Sequence, residues 1–203
     1  MDKKIVYLLF VLLIVGSCST KKIAFNIKNN IVKDSSYISM EIINPTNKDY
    51  YLPIDLFDRN NYDFLKVKEK MLLYPSITIS ENKKEVLLLG YGSADDRIPN
   101  YYLKKEWYLN QFSSVKKITK VSAKSKTVVN FPFYVKLESP YTSSYKWYEV
   151  EEGKVYDFEI RYQADKDVVK TVLNKLTLDS LQAMGYELYD KEIISNKVPF
   201  TVK

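Results

Sequence analysis

The chain has 203 residues, 46% of them apolar and 14% aromatic, and carries 31 Lys and Arg against 25 Asp and Glu, a net charge of +6 at pH 7. This composition builds a packed core and excludes a disordered chain, and the length suits one domain with long loops. Histidine is absent and cysteine occurs once, which excludes Ser-His-Asp and Cys-His nucleophilic catalysis, His or Cys zinc sites and the usual pH switch.

At the N-terminus Met1, Asp2, Lys3 and Lys4 lead into an apolar run over residues 5–15 that ends in Val15-Gly16-Ser17-Cys18. A charged start, an apolar centre and small residues before a cleavage point are the parts of a secretory signal. The run is too short for a bilayer core of about 30 Å, which takes about 20 residues. The segment resembles a bacterial lipoprotein signal peptide with its lipobox. That resemblance implies removal of residues 1–17 and lipidation of Cys18, whose acyl chains then hold the chain on a membrane at about 0.8 kcal/mol per buried methylene. In that family Ser19, a residue other than aspartate after the cysteine, implies the outer membrane. Residues 18–22 form the lipidated cysteine and a short polar tether, and without an acidic export tag they imply the periplasmic face. A plain cleaved signal with an incidental cysteine is the alternative.

From residue 23 to 203 a single domain is expected, dominated by alternation. Candidate strands lie at residues 23–28, around Ile38, Met40 and Ile42, at 50–54, around Ile77 and Ile79, and at 86–91, 115–121 and 127–137. In the next, Tyr156, Phe158, Ile160 and Tyr162 point one way and Val155, Asp157, Glu159 and Arg161 the other. Val198, Phe200 and Val202 close the chain. About nine strands with turn signals between them predict an all-β antiparallel sandwich. Asn44-Pro45-Thr46-Asn47, Glu81-Asn82-Lys83-Lys84 and Glu152-Gly153 mark turns. Before the last strand a short helical insertion is predicted, with Val169, Val172, Leu173 and Leu176 at helical spacing after Asp165, then a second helix capped by Asp179 and stopped by Gly185. Pro53, Pro132 and Pro199 fall in predicted strands and belong on edges, at bulges or at strand ends, as edge protection or as bends.

The succession NPTNKDYYLPI, SKTVVNFPFYV, EEGKVYDFEIRYQ and ISNKVPFTV resembles the immunoglobulin-like sandwiches borne by many Gram-negative lipoproteins. The resemblance implies a fold and a location and no single activity.

Residues 107–137 contain no acidic residue yet hold Lys116, Lys117, Lys120, Lys124, Lys126 and Lys136. Anionic lipid headgroups or acidic glycans are the functional reading of this basic patch. A solvated face, or strands laid beside the acid-rich residues 149–167, is the structural one. Nucleic acid is excluded as a partner by the modest net charge of a chain with an export signal. Two aromatic clusters are predicted in loops, Tyr101, Tyr102, Trp107 and Tyr108, then Tyr141, Tyr145, Trp147 and Tyr148. They are binding candidates for sugar stacking or protein contact, or else cover the ends of the core.

Enzymatic signals are weaker. Ser19, Ser80, Ser113, Ser114 and Ser143 each begin an S-x-x-K match, with neither the S-D-N nor the K-T-G element of penicillin-binding sites. Gly90-Tyr91-Gly92-Ser93 lacks the lysine of a phosphate loop, and Asp95-Asp96 lacks an EF-hand. The sequence thus points to a non-catalytic, lipid-anchored envelope protein that binds another envelope protein, without catalytic residues, metal or cofactor. A glycan-binding lipoprotein is the alternative, and a glycosidase built on two carboxylates is the third.

Overall fold

The structure, a computed structural model, describes residues 21–54, 75–91, 118–138 and 145–202. The expected signal peptide, Cys18 and the site candidates Tyr101, Tyr102, Trp107, Tyr108, Lys116, Lys117 and Tyr141 lie outside these residues. In chain order the strands are β1 (Ala24–Ile27), β2 (Val32–Lys33), β3 (Ser36–Asn44), β4 (Tyr50–Leu52), β5 (Ser76–Glu81), β6 (Lys84–Glu85), β7 (Leu88–Tyr91) and β8 (Thr119–Val121). They continue with β9 (Ser125–Phe133), β10 (Lys136–Glu138), β11 (Tyr145–Tyr148) and β12 (Val155–Tyr162). Helices α1 (Lys166–Val172) and α2 (Lys175–Ala183) precede β13 (Glu187–Leu188), β14 (Ile193–Ile194) and β15 (Val198–Thr201).

Period-2 burial decides where the long strands go. In β3 Ile38, Met40 and Ile42 are fully buried while Tyr37 on the other face is exposed, and β3 pairs antiparallel with β1 and β9 in the order β1-β3-β9. In β12 the predicted inward set Tyr156, Phe158, Ile160 and Tyr162 is buried, and β12 lies inside the order β2-β15-β12-β5-β6. These sheets face each other as an all-β sandwich. Phe133 of β9 meets Phe158 at 5.1 Å and Phe200 at 5.4 Å, both near edge-to-face, and Phe25 of β1 meets Tyr162 at 6.3 Å. Edge-to-face rings add about 0.5–1.5 kcal/mol beyond their buried area. Among the described residues two smaller sheets are also formed, β13-β4-β8 and β10-β11-β7.

The turns form where expected. Asn82 and Lys83 adopt φ of 50° and 70° between β5 and β6, the paired left-handed residues of a tight hairpin. Asn44 is buried and bonds at both ends of its side chain: Nδ2 donates to the carbonyls of Lys48, Val121 and Ser122, and Oδ1 accepts from Thr46 N at 3.0 Å. One residue thereby ties the β3–β4 turn to the end of β8.

Several expectations need correction. The predicted strand over residues 127–137 divides into β9 and β10 at Tyr134, where Asp34 Oδ1 accepts Val135 N–H at 2.7 Å. The strand over residues 50–54 ends at Leu52, which leaves Pro53 beyond it. Pairing is not wholly antiparallel, since β13–β4 and β15–β2 run parallel over two residues each. The helical insertion is present, but Asn174 caps α2 through Thr177 N, while Asp179 sits inside the helix and pairs with Lys175. That restart resets the helical phase, so Val169 and Leu173 are buried while Leu176 is 75% exposed. Gly185 does end α2, at φ 82°, with Tyr186 N bonded back to Leu181 O. Val202 follows the last strand and is only half-buried. Pro132 lies on β9, an edge of its sheet, and Pro199 sits one residue before the β2 pairing starts at Phe200.

Between β14 and β15 the register against β12 slips by one residue: Arg161 faces Ile194 while Phe158 faces Val198. Asn196 and Lys197 both point outward in this bulge, and Ser195 Oγ accepts Ile160 N–H at 2.9 Å. Asn196 then reaches the opposite sheet, accepting Ile27 N–H at 2.6 Å and donating to Ile27 O at 3.2 Å. Replacing Asn196 with Ala leaves both groups of Ile27 unpaired, a cost of about 1–3 kcal/mol. Thermal unfolding of Asn196→Ala is expected to drop by roughly 2–4 °C for each kcal/mol lost; an unchanged midpoint would show that the sheets hold without this link.

Candidate functional site

Three groups of residues are placed by the fold: the β11 aromatics, the basic turn after β8, and a cleft at the end of β12. The first was expected in a loop. It is instead the middle strand of β10-β11-β7, with Trp147 opposite Lys136 on one side and Leu89 on the other. Tyr145 begins the strand, opposite Glu138 and Tyr91. Alternation sends Trp147 and Tyr148 to opposite faces. Tyr148 is 7% exposed, its ring lies 6.4 Å from Phe133, and its hydroxyl donates to Ile77 O at 3.1 Å. It is a core residue, which corrects its place among the binding candidates. Trp147 on the other face is half-buried.

The described lysines of the basic stretch follow β8 and the turn into β9. Lys120 is half-buried in β8 opposite Tyr51. Lys124 adopts φ 55° at the turn, and its Nζ donates to Pro45 O at 2.8 Å. Lys126 lies 3.4 Å from Glu41 of β3, so its acidic neighbour comes from the adjacent strand. Several carboxylates of the acid-rich segment have cationic partners too: Glu151 with Lys154 at 2.8 Å, Asp157 with Lys197 at 3.7 Å, and Glu159 with Arg161 at 2.8 Å. The exposed pairs among these contribute about 0–1 kcal/mol, whereas Glu159, predicted to face outward, is buried. Of the S-x-x-K matches, Ser80 is buried in β5 while Lys83 stands exposed in the hairpin turn.

A cleft of about 410 Å³ opens where β12 ends, bordered by Ser76, Arg161, Gln163, Asp165, Asp190 and Glu192. Asp165 Oδ1 accepts Asp167 N–H at 2.9 Å, so this carboxylate serves the start of α1. Among the described residues no group of three or more His, Cys, Asp or Glu side chains is arranged to hold a metal ion. This cleft was not legible in the sequence, because its walls come from β5, β12, α1 and the loop before β14.

Tyr162, also at this end, is buried, and its hydroxyl has no hydrogen-bond partner among the described residues. Burial, and next to it the Tyr51 phenol, pushes its pKa well above the ordinary 10.0. Burial also raises the pKa values of Tyr51 and Tyr189. An acid whose folded pKa is raised stabilises the fold fully below its unfolded pKa, and that stability falls once the phenols of the unfolded chain ionise above about pH 10. Tyr162→Phe removes an unpaired buried hydroxyl and one such phenol. It is expected to gain about 1 kcal/mol near neutral pH and to lose less than wild type under alkali; urea unfolding at both pH values measures this, and a loss near neutrality would contradict it.

No protein-family model matches the chain, and neither a curated protein nor a solved structure matches it.

Proposed function

We propose that the protein is a non-catalytic envelope lipoprotein, an immunoglobulin-like sandwich held on the periplasmic face of the outer membrane by lipid on Cys18 and acting as a protein-interaction module. The observation that carries this reading is the sequence Val15-Gly16-Ser17-Cys18 at the end of the apolar run, followed after four tether residues by Ile23, which is 3% exposed. An anchor so close to the first core residue makes sense of a domain that works at a membrane surface. The residue types left for chemistry, without histidine and with one cysteine, support binding over catalysis.

Protein contact is favoured over glycan by the β11 geometry. Sugar stacking calls for a row of rings on one exposed face; Trp147 and Tyr148 stand on opposite faces and Tyr148 is buried, which leaves Tyr145, two positions before Trp147, as the one other aromatic position of β11 on the face of Trp147.

Changing Cys18 to Ala is expected to abolish incorporation of a fatty-acid analogue and to leave an unprocessed or mislocalised precursor. Equal label on the mutant would refute the anchor. For the interaction surface, Trp147→Ala should weaken crosslinking to the partner in the native envelope with thermal unfolding unchanged, at a cost of about 2 kcal/mol in binding if Trp147 is a hot spot. Tyr148→Ala should instead lose roughly 3–5 kcal/mol of stability. Loss of stability in Trp147→Ala, with crosslinking by the folded fraction intact, would rule Trp147 out as a contact.

A further inference from the structure

The hydrogen bonds of β3 fix which backbone groups of β9 lie on its outer side. Lys28 N donates to Ser39 O at 2.8 Å, so the backbone groups of Ser39 face β1. Successive residues of a strand present N–H and C=O to opposite sides, and those of Ile38, Met40 and Ile42 therefore face β9. Their partners there are Phe131, Val129 and Thr127. Ile27, opposite Met40, accordingly gives its N–H and C=O to Asn196 and not to β3. By the same alternation Lys126, Val128, Asn130 and Pro132 turn their backbone groups away from β3. Among the described residues no strand lies on that side, and no hydrogen bond engages the backbone of Lys126, Val128 or Asn130 there.

Such an edge is a template for another strand. Val128 is 56% exposed, and Lys126 and Asn130 on either side of it are exposed too. Lysine and proline ordinarily blunt a free edge, and β9 has one of each. The Lys126 charge is answered by Glu41 at 3.4 Å, and Pro132 lacks only its own N–H, at the far end of the edge. Together they leave one self-complementary register open. With a two-fold axis through Val128, two antiparallel copies of β9 set Lys126 opposite Asn130 and Val128 opposite its own copy. Every edge-facing N–H and C=O of these residues then has a partner, no two lysines meet, and the exposed valines cover each other. Moving the axis on to Val129 would bring the Lys126 carbonyl against Pro132, which has no proton to donate. Moving it back to Thr127 would set Asn130 against Lys124, whose φ of 55° has already left the strand.

We propose that β9 is a dimerisation edge, at which two copies of the chain pair antiparallel about Val128 and join their β1-β3-β9 sheets into one. The partner is a second copy because the edge is complementary to itself in charge, register and apolar contact. The pairing rests on the sheet alone and is independent of the lipid anchor.

Val128→Pro tests it, because that N–H faces away from β3 and its removal leaves the β3 ladder whole. The full chain in detergent is followed by sedimentation over a range of concentrations. Wild type is expected to pass from monomer to dimer as concentration rises, and Val128→Pro to stay monomeric with thermal unfolding unchanged. A wild type that stays monomeric, or a folded Val128→Pro that still dimerises, overturns the proposal. Where Val128→Pro does not fold, amide hydrogen exchange of wild type decides. Concentrating the protein should slow the amides of Lys126, Val128 and Asn130 by about tenfold, while those of Thr127 and Val129, bonded to β3, are slow throughout. Exchange that is fast at every concentration leaves the edge to water or to a strand of another protein. Exchange already slow in dilute solution means that the chain covers its own edge. Either result overturns the dimer.

Discussion

Polar atoms join the two sheets at the bulge at Ser195–Asn196, and the register of the closing strands depends on it. Apolar burial holds the sheets together without direction. The Asn196 amide, paired with both backbone groups of Ile27, gives that contact a fixed place. Ser195 completes it by accepting Ile160 N–H and donating to Asn196 O at 2.7 Å, so the extra residue leaves few backbone groups unpaired. The two consecutive outward residues shift the alternation by one step. Ile193 and Ser195 point inward before the bulge, and Val198 and Phe200 point inward after it. Without the shift, Val198 and Phe200 would face solvent and the ring contact with Phe133 would be lost.

The long strands were legible because one face of each is buried and the other is not. Ile38, Met40 and Ile42 announce β3, and Tyr156, Phe158, Ile160 and Tyr162 announce β12, through nothing more than spacing. Two-residue strands such as β2, β13 and β14 have no period to read; they exist because a neighbour supplies hydrogen bonds from far along the chain. The phase of the second helix was misread for a related reason. The stripe of Val169, Leu173 and Leu176 continues in the sequence, while Asn174 breaks and restarts the backbone.

Of the candidate sites, residue type was readable and placement was not. Tyr145, Trp147 and Tyr148 look like a binding loop because aromatic and polar residues fall on both faces of the segment, which hides the strand. Tyr148 becomes core only once β7 and β10 pair with β11 and carry it toward Phe133 and Ile77. The basic stretch shows the same limit, since the Glu41 that meets Lys126 lies 85 residues away and in a different strand. Charge composition reports a surplus of lysine but not which lysines are left without a carboxylate.

The bond from Ile27 to Asn196 spans 169 positions of chain. β1 is thus completed by residues made long after it. Contacts of such separation form late and slowly, because a large loop must close before any of them is gained. During synthesis, with β12, β14 and β15 still to come, the inward faces of β3 and β9 have no second sheet to cover them. The sandwich therefore stays open until β15 is available. A protein built this way matures all at once, and a nascent copy is a substrate for chaperones rather than a half-finished domain.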